Sequence, residues 1–328
     1  MDSIHRRPGG RRSPAALRLL AALVAVALSA CGGKAAPRAA SPSPTVHGSQ
    51  PARFPVTLTD DDGARVTVSA PPKRIITFAP SNTEIVFALG LGDELVGVSG
   101  KFDDYPPEAK GIGEVGGAGE FGDQPNVEKL VALRPDLVLT ISGGEQWKER
   151  LREVGIVVFS VNATDFGDLL NDIRTVGRVT GVPERAAKLT AQMAARAAAV
   201  QSAVAAGARV SCFFEAYYPP LTTVGPHTFI FDLLQRAGCD PVSAGAKSDY
   251  PEWSVDELVA EGPAVYLVAS ESGVSPGAVA KRPGFGAIAA VASGRVYLID
   301  SDLVSRPGPR VVDGLDALAR VLHPGSVP

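Results

Sequence analysis

Histidine, methionine and tryptophan are scarce in this 328-residue chain, which holds four His, two Met and two Trp, with aromatics at 6%. His5 and His47 fall in N-terminal segments without the pattern of a folded domain, leaving His227 and His323. Two imidazoles do not make a zinc centre, which takes three or four ligands. Basic excess is missing as well: 32 Lys and Arg against 35 Asp and Glu give a net charge of −3. Such a chain lacks the basic face that nucleic acid requires and is poorly suited to coat anionic lipid. No Ser-His-Asp set, Walker loop or paired-carboxylate motif is present, so nothing argues for catalysis and no cofactor or metal is expected. Nor is there an apolar run long enough to span a bilayer. The stretch between Arg18 and Cys31 is about a dozen residues, where a spanning helix needs about 20.

That short run has a different use. Arginines at 6, 7, 11, 12 and 18 precede it, and Leu28-Ser29-Ala30-Cys31 closes it. A positive start, an apolar middle and small residues before a cut make an export signal, and Leu-Ser-Ala-Cys resembles the lipobox of bacterial lipoproteins. The resemblance implies lipidation at Cys31 and an extracytoplasmic protein anchored to the cell membrane. The first 30 residues hold five Arg and one Asp, which leaves the remainder near −7. Cys212 and Cys239 then lie in an oxidising compartment. They either pair as a disulfide or stand as two buried thiols, since Cα separation is not readable from sequence.

Residues 32–52 are small, Pro-rich and aperiodic, and read as a flexible tether. Beyond them Pro55-Val-Thr-Leu-Thr and Arg65-Val-Thr-Val flank Asp61-Asp62-Gly63, a hairpin signal. Strands are predicted at 74–78, 95–99, 136–140 and 156–160. Between them run helices from Ser81, whose Ser-Asn-Thr-Glu reads as a capping box with Glu84 as its partner, and at 127–133 and 146–154. Strands alternating with helices predict a mostly parallel sheet covered on both faces. Pro183 opens an Ala-rich helix that runs to Ala206, about 36 Å long at 1.5 Å per residue. Alternation then resumes with strands at 209–214, 265–268 and 295–299 and helices at 229–237, 255–260 and 310–322.

The two halves echo each other. Asn126-Val-Glu-Lys-Leu-Val-Ala-Leu-Arg-Pro-Asp-Leu-Val-Leu aligns without gaps on Ser254-Val-Asp-Glu-Leu-Val-Ala-Glu-Gly-Pro-Ala-Val-Tyr-Leu, with six of 14 positions identical. The expected fold class is therefore α/β: two similar α/β lobes, each with a mostly parallel sheet, joined by one long rigid helix. The divisions are 1–30 signal, 31–53 tether, 54–182 N-terminal lobe, 183–207 interlobe helix and 208–324 C-terminal lobe. Small ligands favour a crevice between such lobes.

Arg74-Ile-Ile-Thr-Phe-Ala-Pro-Ser-Asn-Thr-Glu, Asp104-Tyr-Pro-Pro-Glu-Ala, Leu133-Arg-Pro-Asp-Leu-Val, Tyr218-Pro-Pro-Leu-Thr-Thr-Val-Gly and Arg306-Pro-Gly-Pro-Arg-Val-Val-Asp-Gly-Leu carry a family likeness. In order and spacing they resemble the substrate-binding proteins of ABC importers for cobalamin and iron-siderophores, from about residue 54 to residue 324. The resemblance implies a class III periplasmic-binding-protein fold. It also implies a monomer that takes a metal chelate in the interlobe cleft, a corrinoid first and a ferric siderophore or haem second, and hands it to an ABC permease with its ATPase. A competing class is an extracytoplasmic enzyme on the same scaffold. By matching motifs the substrate-binding candidates are Phe102, Ile141, Leu221, Tyr250, Asp302 and Arg306. Glu128 and Asp256, at matching places in the echoed segments, are the implied permease-docking acids, although an acid in a helix's first turn is also stabilised by the macrodipole.

Three tempting features read as structural. Trp147 lies at helical spacing from Leu151 and Val154, and Trp253 before Ser254 reads as a hydrophobic staple on Leu258. Gly111-Ile-Gly-Glu-Val-Gly116 matches a dinucleotide fingerprint, but its flanks supply neither the strand nor the helix that such a site needs.

Overall fold

The computed structural model describes residues 53–118 and 124–326. The export signal, Cys31 and all but the last residue of the tether lie outside them. The described chain opens on a hairpin of β1 (Val56–Thr59) and β2 (Arg65–Val68), paired antiparallel with Val56 opposite Val68. Its turn needs Gly63, at φ 80°, and Asp60 closes it by accepting from the Ala64 amide at 2.8 Å. The turn acids also pin the hairpin to the lobe behind it. Asp60 accepts from the Ser160 amide, and Asp62 pairs with the fully buried Lys148.

The N-terminal lobe follows with β3 (Ile75–Phe78), α1 (Pro80–Ala88), β4 (Leu95–Val98), β5 (Gly116–Ala118), β6 (Gln124–Pro125), α2 (Val127–Ala132), β7 (Leu137–Thr140), α3 (Glu145–Glu153), β8 (Val158–Ser160) and α4 (Phe166–Val179). Its sheet has the order β4-β3-β7-β8, all parallel, with β5 and β6 a separate antiparallel pair. Strands β3, β7 and β8 are buried at every residue, as a sheet covered on both faces requires.

Then α5 (Pro183–Val204) runs 22 residues, about 33 Å. Its buried residues Ala186, Thr190, Met193, Ala197, Val200 and Val204 alternate four and three apart, a single stripe down the helix. The C-terminal lobe comprises β9 (Val210–Glu215), α6 (Phe229–Arg236), β10 (Cys239–Pro241), α7 (Val255–Glu261), β11 (Val265–Ala269), α8 (Pro276–Val279), α9 (Ala289–Ala292), β12 (Val296–Ile299), α10 (Ser301–Val304) and α11 (Val311–Leu322). Its parallel sheet, β10-β9-β11-β12, repeats the strand order of the first. The echoed segments occupy equivalent slots, α2–β7 in one lobe and α7–β11 in the other.

One apolar cluster joins the lobes. It passes from Ile75 and Leu139 through Leu169 and Ile173 of α4 to Met193 and Val200 of α5. From there it continues to Leu233 of α6 and Leu315 of α11. Each such side chain contributes about 1.5–3 kcal/mol when fully buried, so separating the halves means breaking a shared core. Cys212 and Cys239 form a disulfide between β9 and β10, with Cα atoms 5.9 Å apart. No described helix is long and apolar enough to cross a membrane.

Three sequence expectations change. The capping box at Ser81 does not form, because Pro80 occupies the first helical turn and makes Ala79 the N-cap. Glu84 is instead drawn into an interlobe ion pair. Helix α4 was not predicted, although Asp165 caps it and Phe166, Leu169, Leu170, Ile173 and Val176 line its buried face. The strand β10 was also missed; at three residues it is too short to carry a period. Trp147 and Trp253 pack as expected, against Phe78 at 5.4 Å and Phe213 at 6.5 Å between ring centroids. The Gly111–Gly116 stretch lies between a short 3-10 helix and β5, outside any strand-to-helix turn.

Candidate ligand-binding cleft

In a parallel sheet ligands gather beyond the carboxyl ends of the strands. Ala79 to Asn82 follow β3, Ile141 follows β7, and Val161 to Thr164 follow β8. These segments form one wall of a cavity of about 420 Å³. The other wall comes from the second lobe: His227 to Phe229 at the start of α6, Asp249 and Tyr250, and Ser305 to Pro307 after α10. The cavity is therefore interlobar. Ile141 and Tyr250 are 46% and 60% exposed, large for apolar and aromatic residues, and offer apolar contact surface, one from each lobe.

Arg306 is the cation of the cleft. It bonds Asp302, four residues back, at 2.6 Å and Asp104 of the other lobe at 3.2 Å. Four residues further along the chain, Arg310 holds Glu84 across the lobes through bonds of 2.6 and 3.0 Å. Arg310 also stacks on Tyr105, 3.9 Å from the ring centroid, and Glu84's hydrogen bonds lift its pKa above the ordinary guanidinium value. A second hollow, of about 660 Å³, opens on the Glu84–Phe87 side of α1 and is lined by Asp93, Glu108 and Asp313. It is the larger of the two, but it is not built from the strand ends of the sheets. The smaller one is, and it carries the exposed Ile141 and Tyr250.

Asp172, on α4, reaches the same cleft while 8% exposed. Burial, then the facing carboxylate of Asp61 and the charge of Asp168, push its pKa up to about 8. A pKa there favours the protonated acid at neutral pH, a form able to donate a hydrogen bond.

Of the sequence candidates, Ile141, Tyr250 and Arg306 come together at the cavity. Asp302 reaches it through Arg306. Phe102 is 40% exposed beneath Lys101 and does not line the cavity. Leu221 does not line the cavity either: it is 5% exposed in the C-terminal core with Phe213, Tyr266 and Phe285, because the turn after Pro219-Pro220 folds it inward. Asn82, Asp172 and His227 line the cavity without having been singled out. Asn82 sits inside the quoted Ser-Asn-Thr-Glu motif, Asp172 on the unpredicted α4, and His227 was weighed only as a zinc ligand. Glu128 and Asp256 are both exposed, each in the first turn of its helix, and neither forms an ion pair among the described residues.

Residues 75–303 match the periplasmic binding protein family. This chain is a member of that family. An uncharacterized ABC transporter substrate-binding lipoprotein of Bacillus subtilis, YvrC, is 35% identical over 282 residues, covering 83% of this chain and 86% of its own. A cobalamin-binding protein of Halobacterium salinarum is 31% identical, covering 93% and 84% respectively. Among solved structures, the periplasmic vitamin B12 binding protein BtuF of Vibrio cholerae superposes with a TM-score of 0.68 over 77% of this chain and 97% of its own, at 24% identity. That likeness concerns the fold: two parallel-sheet α/β lobes and a long connecting helix.

Proposed function

We propose that this protein is the lipid-anchored, extracytoplasmic substrate-binding component of an ABC importer. It captures a corrinoid in the interlobe cleft and presents it to a permease and its ATPase. The observation that carries the reading is a cavity shared by both lobes at the strand ends, lined by Ile141 from one lobe and by Tyr250 and Arg306 from the other. A macrocycle offers broad apolar faces and a polar rim. The faces suit Ile141 and Tyr250, and the rim suits Arg306 and Asp302. The family membership and the cobalamin-binding relative support it. The cavity is smaller than a whole corrinoid, so one edge is seated and the rest stays at the opening.

Glu128 and Asp256 serve, in this reading, as the docking acids. They sit in equivalent helices of two lobes with the same strand order, so a permease built on a two-fold axis meets one carboxylate from each. Isothermal titration of the purified protein with cyanocobalamin and with ferric hydroxamate and catecholate chelates tests the assignment. Saturable binding of cyanocobalamin without chemical change, and weaker binding of the iron chelates, is expected. Preference for an iron chelate overturns the corrinoid assignment, and release of an altered product overturns the transport reading.

A further inference from the structure

Asn82 is 1% exposed, and neither its Nδ2 nor its Oδ1 has a hydrogen-bond partner among the described residues. Buried polar side-chain atoms are almost always partnered, and an exception in a native structure calls for a reason. Loose local packing is not that reason. The next residue, Thr83, bonds Thr77 at 2.6 Å and also donates to Asp103, and Glu84 is held by Arg310. The Asn82 backbone N–H is satisfied too, by the Ala79 carbonyl at 3.1 Å. Only the side-chain amide is left over, and Asn82 lines the cleft cavity between Ser81 and Ile85.

A primary amide offers one acceptor and two donors on a single plane. A second carboxamide satisfies both of its ends in one approach: it accepts from Nδ2 and donates to Oδ1. A carboxylate meets Nδ2 but sets its charge against Oδ1. The iron-bound oxygens of hydroxamates and catecholates are acceptors and leave Oδ1 unpaired. We infer that Asn82 is a specificity residue that, when the packing over its amide opens to admit the ligand, recognises a peripheral primary amide through a paired amide–amide contact. The inference rests on the corrinoid reading of the cleft, because a corrin ring bears primary amide side chains, and it names which part of that ligand the N-terminal lobe reads.

The test compares the wild-type protein with Asn82→Leu, which keeps the shape and removes both polar atoms. Cyanocobalamin affinity is measured by titration and folding by thermal melting. At least a tenfold loss of affinity is expected, with a melting temperature equal to or above the wild type's, since the variant removes a buried unpaired group. Unchanged affinity overturns the inference; combined with a lowered melting temperature, it assigns the amide to a structural water. Independently of any variant, the wild type is titrated with the separate monocarboxylic acids of cyanocobalamin, each with one peripheral amide hydrolysed. One isomer is expected to lose at least tenfold, and equal affinity for all of them overturns the inference. If the wild type binds cyanocobalamin but these two results fail, the residue assignment alone falls. If the wild type does not bind cyanocobalamin, the corrinoid reading falls and takes the inference with it.

Discussion

Arg310 grips Glu84 across the two lobes with both a side-chain Nε and a terminal nitrogen, at 3.0 and 2.6 Å. The Glu84 side chain is 2% exposed. An ion pair this buried contributes little net stability as a pair, but removing one partner strands a charge away from water. Arg310→Ala should therefore destabilise the protein by about 3 kcal/mol, within the range for broken buried pairs. The double variant Glu84→Gln, Arg310→Met should recover most of the loss. Urea denaturation measures both; equal losses in the single and double variants would mean that packing, not charge, sets the cost.

Leu221 and Tyr250 were both candidates for ligand contact, and they part in the structure. Leu221→Ala should cost about 2–5 kcal/mol, as truncations in well-packed cores do, and leave ligand affinity unchanged once the protein is folded. Tyr250→Ala, at a 60% exposed position, should do the reverse. Melting curves paired with titrations separate the two. A Leu221 variant that melts normally but binds weakly would return that residue to the cleft wall.

The lobes, their strands and the long helix were legible because each rests on local pattern: buried apolar runs for β3 and β7, and an Ala-rich stretch after Pro183 for α5. The internal echo placed α2 and α7 in equivalent slots. What sequence did not carry was the identity of partners distant along the chain. Glu84 has a capping spacing from Ser81, yet its partner lies 226 residues away; nothing local announces Arg310. Asn82 drew no reading of its own inside the Ser-Asn-Thr-Glu motif, because only its packed neighbours reveal that its amide is unbonded. Asp172 was hidden for a different reason. Its helix has a sound 3.6-residue period and a cap at Asp165, and the signal was present but unread.

The Cys212–Cys239 bridge closes a loop of 27 residues, and chain-entropy arguments assign such a loop about 3.5 kcal/mol of stabilisation. Reduction, or the pair Cys212→Ala and Cys239→Ala, should lower stability by roughly that amount. Since the bridge joins β9 to β10 behind the cleft, binding by the folded fraction should persist. Denaturation with and without a phosphine reductant checks the size of the effect, and no change on full reduction would contradict it.

The double variant Glu128→Ala, Asp256→Ala should abolish ligand uptake by cells while leaving solution affinity and melting temperature at wild-type values. Both acids are exposed and unpaired among the described residues, so neither is needed for the fold. Reduced affinity in titration would instead place them in the binding site. Normal uptake would remove the docking role.

Asp172 should give the protein a pH-dependent stability of unusual sign. Its pKa is about 8 in the folded protein against a reference of 3.8, raised first by burial, then by Asp61 and Asp168. Between those values the native state holds a proton that the unfolded chain has released. The unfolded state thus binds fewer protons, and stability falls as pH rises. The contribution is fully present below about pH 4 and is lost on passing about pH 8. Most surface carboxylates act oppositely, so the effect is isolated by difference. Asp172→Asn removes the titrating group while keeping the shape and a donor. Its stability should decline less than the wild type's between about pH 5 and about pH 8, and it should be the more stable of the two at the upper end. Denaturation midpoints of both proteins across that range give the comparison, and parallel curves would show that Asp172 is ionised in the native protein at neutral pH.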